Sequence, residues 1–173
     1  MPKMTYKELK KSDEIISILS NGILWEFDFS IRLNNELESA QSFLEKLREQ
    51  YIEIIQGNGG EEIQTPRGKQ WGLKPPQPTS LSEKATKEEV EKVDAEYQDE
   101  IKKYEDNNTE IEKAYEKLMD TEINVVVNKI PMGEFKTNFT TYLVPELKGK
   151  KFSLSPADIN SVKWLINFSK KKK

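Results

Sequence analysis

Apolar residues recur at heptad spacing in two segments of the chain, and a stretch rich in glycine and proline separates these segments. Apolar side chains at alternating steps of four and three residues form one stripe along a single face of an α-helix. Because each stripe must be buried and the other is the nearest candidate, the pattern predicts an antiparallel helical hairpin. The first stripe comprises Leu33, Leu37, Ala40, Leu44, Leu47, Tyr51 and Ile54. The second comprises Val90, Tyr97, Tyr104, Ile111 and Leu118.

Local signals place the two long helices at about residues 28–56 and 87–120. The first is expected to end at Gly57, since glycine is the usual residue just after a helix C-terminus. The second is expected to begin after Thr86, which forms a capping box with Glu89 three residues later. The similar lengths of the two helices support their pairing.

The second stripe has a polar interruption. Glu100 and Asn107 occupy positions where a coiled-coil seam should be apolar. The pattern therefore predicts loose packing or a kink around residues 100–108. The same stripe also permits pairing between two chains, so a homo-oligomer is an alternative to the hairpin within one chain.

Shorter elements are predicted on both sides of the helical pair. Thr5 and Glu8 form a capping box for a helix within residues 6–20, which a second cap at Ser12 could restart, and alternating apolar residues favour an extended segment at 23–27. Three strands and a Ser-Pro-capped final helix are predicted near the C-terminus. The strands are expected at residues 123–130, 139–144 and 151–154, and the helix from Pro156 to about Phe168.

These elements predict a mainly α protein of the α+β class, with a long antiparallel coiled-coil helical hairpin and a small α/β head formed by both termini. The head would comprise residues 1–27 and 121–173. The hairpin would comprise residues 28–56 and 87–120, and the Gly/Pro-rich loop of residues 57–86 would lie at its tip.

The loop holds the first candidate binding site. Residues 63–71 favour a small β-hairpin, and Arg67, Lys69, Trp71 and Lys74 lie in or beside it. Aromatic and arginine side chains are the usual energetic anchors of protein interfaces. The hypothesis is therefore a protein-binding tip, and its alternative is a loop whose tryptophan folds back on the helices.

Composition limits the chemistry. Apolar residues make up 35% of the 173 residues and charged residues 33%, which suits long exposed helices better than a thick core. The chain has no cysteine and no histidine, which excludes disulfides, thiol nucleophiles and imidazole bases. Carboxylate pairs such as Glu112 and Glu116 are interpreted as a solvated face. We predict no enzymatic activity, no cofactor and no metal site.

Charge is unevenly distributed along the chain, whose net charge is −3. Residues 86–122 carry 6 basic and 14 acidic groups, a net of −8, whereas residues 123–173 carry 10 and 3, a net of +7. The last four residues, with Lys163 nearby, could contact nucleic acid through phosphates, or form a solvated end. The overall acidity of the chain argues against nucleic-acid binding. The last four residues are Lys170, Lys171, Lys172 and Lys173.

Two short motifs and a Val-rich strand mark the C-terminal region. They are Lys129-Ile130-Pro131 at the end of the strand, Leu154-Ser155-Pro156-Ala157-Asp158, and Trp164-Leu165-Ile166. Together with the order of the elements, they resemble a family of small uncharacterised bacteriophage helical-hairpin proteins. The resemblance covers most of the chain, and the 29-residue loop departs from it. It implies a phage-encoded, non-enzymatic protein and carries over no catalytic residues.

The predicted function is that of a phage-type structural or assembly-associated protein, acting through contacts with phage or host proteins in the host cytoplasm or the virion. One alternative is a modulator or inhibitor of a host protein that uses the acidic helix. Another is a nucleic-acid accessory protein that uses the basic C-terminal region. No apolar run approaches the ~20 residues of a membrane span, so no membrane contact is predicted.

Overall fold

The structure is a computed structural model that describes residues 3–66, 68–80 and 86–168. The chain divides into two compact units. The first unit comprises Met1–Leu47 and Met119–Lys173, and the second comprises Arg48–Leu118. The first unit carries 16 basic and 13 acidic residues, a net of +3, and the second carries 11 and 17, a net of −6.

The elements are short apart from two helices. In chain order they are β1 (Lys3–Thr5), α1 (Tyr6–Lys10), α2 (Asp13–Asn21), β2 (Ile23–Trp25), α3 (Phe27–Gly57), β3 (Glu61–Thr65), β4 (Gly68–Gly72) and α4 (Lys87–Met119). They continue with β5 (Glu122–Asn124), β6 (Ile130–Pro131), α5 (Met132–Thr137), β7 (Phe139–Tyr142), a 3-10 helix (Pro145–Leu147), α6 (Pro156–Ser161) and β8 (Ile166–Asn167). Among the described residues the strands form four two-stranded sheets.

Three of these sheets lie in the first unit and join its N-terminal and C-terminal segments. β1 pairs antiparallel with β5, and β2 pairs antiparallel with β7. β6 pairs in parallel with β8. The termini therefore form one α/β unit around the first part of α3.

Most local sequence signals are confirmed. The backbone N–H of Thr5 donates to Glu8 Oε2 at 2.9 Å and that of Glu8 donates to Thr5 Oγ1 at 3.2 Å, which completes the predicted capping box. The helix predicted within residues 6–20 is interrupted and restarts after Ser12, as α1 and α2. The extended segment predicted at 23–27 contains β2.

The strand predicted over residues 123–130 is wrong in its middle. Only the flanking elements β5 and β6 are strands. Between them, Val126 N–H donates to Ser39 Oγ at 3.0 Å, and Asn128 N–H donates to the Glu36 carboxylate. Side chains of α3 thus take the hydrogen bonds that a strand partner would otherwise provide.

Two further C-terminal predictions need correction. Residues 151–154 have no regular secondary structure, although Phe152 is buried. The final helix is capped as predicted, because Asp158 N–H donates to Ser155 Oγ at 3.2 Å. It ends at Ser161 and is followed by a turn into β8, so it is one and a half turns long rather than three.

The predicted long antiparallel coiled-coil hairpin is wrong. Both long helices form close to their predicted bounds, but only three of the described α-helices exceed six residues, and no coiled-coil seam joins the two long ones. In α4, Ile111 is the single buried residue, and Val90 is 38% exposed. In α3 the first five residues of the stripe are buried, from Leu33 to Leu47.

The buried part of the stripe on α3, from Leu33 to Leu47, belongs to the first unit, whose short elements contact other side chains of the same helix. Phe29 contacts Phe135 of α5, with 5.3 Å between ring centroids, and Phe43 contacts Tyr6 of α1 at 6.2 Å. The segment between β5 and β6 hydrogen-bonds to α3 as described above. An apolar stripe shows that a helix face is buried, but it does not specify which element covers it.

In the second unit, α3 and α4 meet at local contacts. The rings of Tyr51 and Tyr115 are 4.7 Å apart, and Asn107 Nδ2 donates to the carbonyl of Asn58 at 3.0 Å. Loose packing or a kink was predicted at residues 100–108; α4 is not interrupted there, and none of these residues is buried. The polar Asn107 is accommodated by a backbone acceptor, so its position requires no break in the helix.

The small β-hairpin predicted at residues 63–71 is confirmed by β3 and β4, which pair antiparallel from Glu61–Gly72 to Thr65–Gly68. The chain reaches it from α3 through Gly59, which has a left-handed φ of 81°. A Cβ at Gly60 would lie 2.2 Å from Ile55 Cγ2, so only glycine fits at that position.

A capping box begins α4, as predicted. The backbone N–H of Thr86 donates to Glu89 Oε2 at 2.8 Å, and that of Glu89 donates to Thr86 Oγ1 at 3.3 Å. Hydrogen bonds from the Thr86 backbone and then from its hydroxyl lower the pKa of Glu89 from the ordinary 4.5. The ionised carboxylate therefore stabilises the first turn of α4.

We expect Thr86→Ala to raise the pKa of Glu89 part of the way toward 4.5, because alanine removes the hydroxyl donor and keeps the backbone N–H that contributes more; carboxyl ¹³C NMR titration measures the change. Because the folded-state pKa is lowered, this stabilisation is present above the unfolded-state pKa and is lost as the pH falls through the folded-state value. Thr109→Ala is the matched control, since the Thr109 hydroxyl donates to Glu105 O within the same helix. An unchanged Glu89 pKa in Thr86→Ala would contradict the cap.

Candidate functional site

The described part of the first unit contains an open cleft of about 880 Å³. It is lined by β1, by the end of α1, by the residue before β6, and by the segment from α6 to the residue after β8. Four lysines line it: Lys3, Lys11, Lys129 and Lys163. We call this feature the lysine cleft.

Short elements of the first unit hold these four lysines in place. Lys3 lies opposite Asn124 in the β1–β5 pair, and its neighbour Met4 is buried, so strand alternation turns Lys3 outward. Lys11 is the C-cap residue of α1. Lys129 directly precedes β6, and Lys163 lies in the turn that leads into β8. The parallel pairing of β6 with β8 brings these last two together.

A buried hydrogen-bond network supports the wall of the cleft. Trp164 is 6% exposed, and its Nε1 donates to Ser12 Oγ at 3.0 Å. Ser12 is fully buried and its hydroxyl donates to the Ser161 carbonyl at 2.6 Å. The link between α1 and α2 is therefore fixed to α6, which places Lys11 beside Lys163 in one lining.

The charges of the cleft are strongly unbalanced. Glu8 is the one carboxylate of the lining, and it already accepts the Thr5 N–H of the capping box. Lys129 Nζ donates to the Lys163 carbonyl at 2.9 Å, which leaves its charge unneutralised. Lys11 and the Lys163 ammonium form no ion pair with any residue that the structure describes. The lining therefore has an excess of three positive charges.

Aromatic and amide side chains complete the rim. Phe168 is 42% exposed, and Asn160 and Asn167 line the same cleft. Amide side chains can both donate and accept hydrogen bonds. The lining thus combines cations for an anion, polar groups for orientation and one accessible ring.

The other cavities are less suited to an anion. A second cavity of about 490 Å³ is lined by Lys11, Lys150 and Lys151, but also by Glu14 and Asp158. Charges of both signs reduce its attraction for any one sign of ligand. No group of three metal-ligating side chains occurs among residues 3–66, 68–80 and 86–168.

The candidate site predicted in the loop belongs to the second unit, and none of its described residues lines the lysine cleft. Lys69 and Trp71 are on β4, and Lys74 is exposed beyond it. Lys69 Nζ is 2.7 Å from Glu62 Oε2, and this hydrogen bond and charge raise the pKa of Lys69. Trp71 is half-buried. Arg67 lies outside the described residues, so the protein-binding tip stays a prediction.

The predicted nucleic-acid contact falls on Lys170, Lys171, Lys172 and Lys173, which also lie outside the described residues. Lys163, named with them, lines the lysine cleft. Sequence reasoning missed Lys3, Lys11 and Lys129 because they come from three separate segments. The net charge of +7 over residues 123–173 was a signal for Lys129, whereas no sequence signal pointed to Lys3 or Lys11.

Within the part of the chain that the structure describes, no helix is both long and apolar enough to cross a bilayer.

Comparisons of the chain with family models, with curated proteins and with solved structures found no match.

Proposed function

We propose that the protein is a non-enzymatic binding protein that holds an anionic polymer in the lysine cleft. The observation that carries this proposal is the set of four lysines around one cleft whose single carboxylate already caps a helix. A cleft lined by one sign of charge concentrates oppositely charged ligands and accelerates their association.

The side chains of the cleft support binding rather than chemistry. Lysine ammonium groups, two asparagine amides and an exposed phenylalanine ring offer contacts to a ligand. A general base needs a group that titrates near the working pH. The single carboxylate of the lining, Glu8, is engaged with the Thr5 backbone, so the cleft has no carboxylate poised for that role.

The double variant Lys11→Gln/Lys163→Gln is expected to lower affinity for anionic polymers by about 10-fold at low salt, through the loss of two partly desolvated charge contacts. Neither lysine makes a described ion pair, so the fold should be retained. Affinity is measured by fluorescence anisotropy against three labelled polymers: a DNA single strand, inorganic polyphosphate and polyglutamate.

Lys102→Gln/Lys103→Gln is the matched control. It also removes two lysine charges, but these lysines lie on the acidic helix α4 and do not line the cleft. The control changes net charge equally and should leave binding unchanged. If none of the three polymers bound, or if both double variants lost affinity equally, the proposed function would be wrong.

A second candidate function is the protein-binding role of a phage-type structural or assembly-associated protein. It is favoured by α4, which carries 12 acidic and 6 basic residues and buries only Ile111. Such a surface is complementary to a basic partner protein. A protein partner retained by Lys11→Gln/Lys163→Gln, and lost when acidic residues of α4 are reversed, would favour this function over the first.

A further inference from the structure

We infer that the anionic polymer held in the lysine cleft is a single-stranded nucleic acid. This inference rests on the proposed function and narrows its ligand class. Two features of the lining favour this class: the accessible aromatic ring favours it over an acidic protein or a bare polyanion, and the size of the cleft favours a single strand over a duplex.

The cations of the cleft are all lysines. The planar fork of arginine binds two oxygens of a carboxylate or a phosphate at once, whereas lysine acts as a point charge. The lining contains no arginine among its described residues. Lysine point charges can neutralise the phosphates of a flexible backbone without fixing their geometry, which agrees with binding that is independent of sequence.

Phe168 supplies a ring on which a base can stack. It is 42% exposed and lies at the rim of the cleft, next to Asn167. Trp164, by contrast, is buried and hydrogen-bonded, so it serves as the wall. Stacking of unpaired bases on aromatic side chains beside a positively charged groove is the usual mode of single-strand binding.

The size of the cleft favours a single strand over a duplex as the occupant. Its volume of about 880 Å³ lies in the range of small-ligand sites, which is enough for a few nucleotides of one strand. The stacked bases of a duplex are not accessible to Phe168 unless they separate. Asn160 and Asn167 can hydrogen-bond to the exposed edges of unpaired bases.

Phosphate contacts made by lysines are independent of sequence and weaken as salt rises. The inferred binding is therefore tolerant of sequence and steeply dependent on salt.

Fluorescence anisotropy with the full chain tests the inference. A 12-nucleotide oligo(dT) should bind at least 10-fold more tightly than inorganic polyphosphate with the same number of phosphates, and more tightly than the same oligonucleotide in a duplex. Phe168→Ala should weaken oligo(dT) binding about 5- to 100-fold, the range observed for lost base stacking, and leave polyphosphate binding unchanged. Phe168→Tyr should retain the affinity.

Phe27→Ala is the matched control, because Phe27 is 76% exposed in the same unit but does not line the cleft. The salt dependence gives a second readout. Since each phosphate contact of a single strand contributes about −0.7 to the slope of log affinity against log salt, Lys11→Gln/Lys163→Gln should reduce the steepness by about 1.4.

The outcomes separate the two proposals. Equal affinity for polyphosphate and oligo(dT), tighter binding of polyglutamate, or equal losses for both polymers in Phe168→Ala would overturn the single-strand inference and leave the anion-binding function standing. Failure of all the polymers to bind would overturn both.

Discussion

Phe135→Ala is expected to lower the free energy of unfolding of the first unit by about 3–5 kcal/mol. Phe135 lies on α5, a helix of six residues, and is completely buried. Its ring contacts Phe29 at 5.3 Å, Trp25 at 5.8 Å and Phe152 at 6.0 Å between centroids. Truncation would leave a cavity at the point where four chain segments meet, and single domains are stable by only about 5–15 kcal/mol.

Urea unfolding followed by tryptophan fluorescence measures this loss. A Trp71→Phe background removes the one tryptophan of the second unit, so that Trp25 and Trp164 report on the first unit alone. Phe27→Ala in the same background is the control, since an exposed side chain should contribute less than about 0.5 kcal/mol. A loss below about 1 kcal/mol for Phe135→Ala would contradict the aromatic core described above.

The features that were predicted correctly are those set by neighbours in the sequence. The capping boxes at Thr5, Thr86 and Ser155 all form, because a hydroxyl and a carboxylate three residues apart satisfy the first N–H groups of a helix. The ends of the long helices and the small hairpin β3–β4 were predicted for the same reason. In each case the partners lie within a few residues of one another.

The features that were not predicted depend on partners distant in the chain. The segment between β5 and β6 reads as a strand, but Ser39 and Glu36 of α3 take its hydrogen bonds from almost ninety residues away. The lysine cleft is a similar case, since its four cations come from four segments that no periodicity connects. Only the excess of positive charge near the C-terminus was visible in the sequence.

The coiled-coil hairpin was wrong because one stripe can be covered in more than one way. The buried part of the stripe on α3, from Leu33 to Leu47, belongs to the same unit as the short apolar segments from both termini, which were taken in the sequence as a separate head. The stripe on α4 contains two tyrosines and is interrupted by Glu100 and Asn107. Burying it would therefore contribute less free energy of folding than burying the stripe on α3. Tyrosine tolerates partial exposure because its hydroxyl stays hydrated.

Leu37→Ala is expected to lower the free energy of unfolding of the first unit by about 2–5 kcal/mol, whereas Val90→Ala should change it by less than about 0.5 kcal/mol. Leu37 is completely buried on α3, and Val90, the first residue of the second stripe, is 38% exposed. A buried leucine loses its transfer free energy and leaves a cavity. Truncating a valine that is already in contact with water costs little transfer free energy and leaves no cavity.

Tryptophan fluorescence with Trp71 retained, so that both units are observed, compares the two variants, with helix content by circular dichroism as a second signal. In a helical pair with a continuous seam, both stripes would be buried, and removing either side chain would cost a similar amount in both signals. In the observed fold the cost falls on Leu37 alone, because Leu37 is buried within the first unit. A loss of about 2 kcal/mol in Val90→Ala would therefore support a coiled-coil seam between the two long helices. It would contradict the assignment of the stripe on α3 to the first unit.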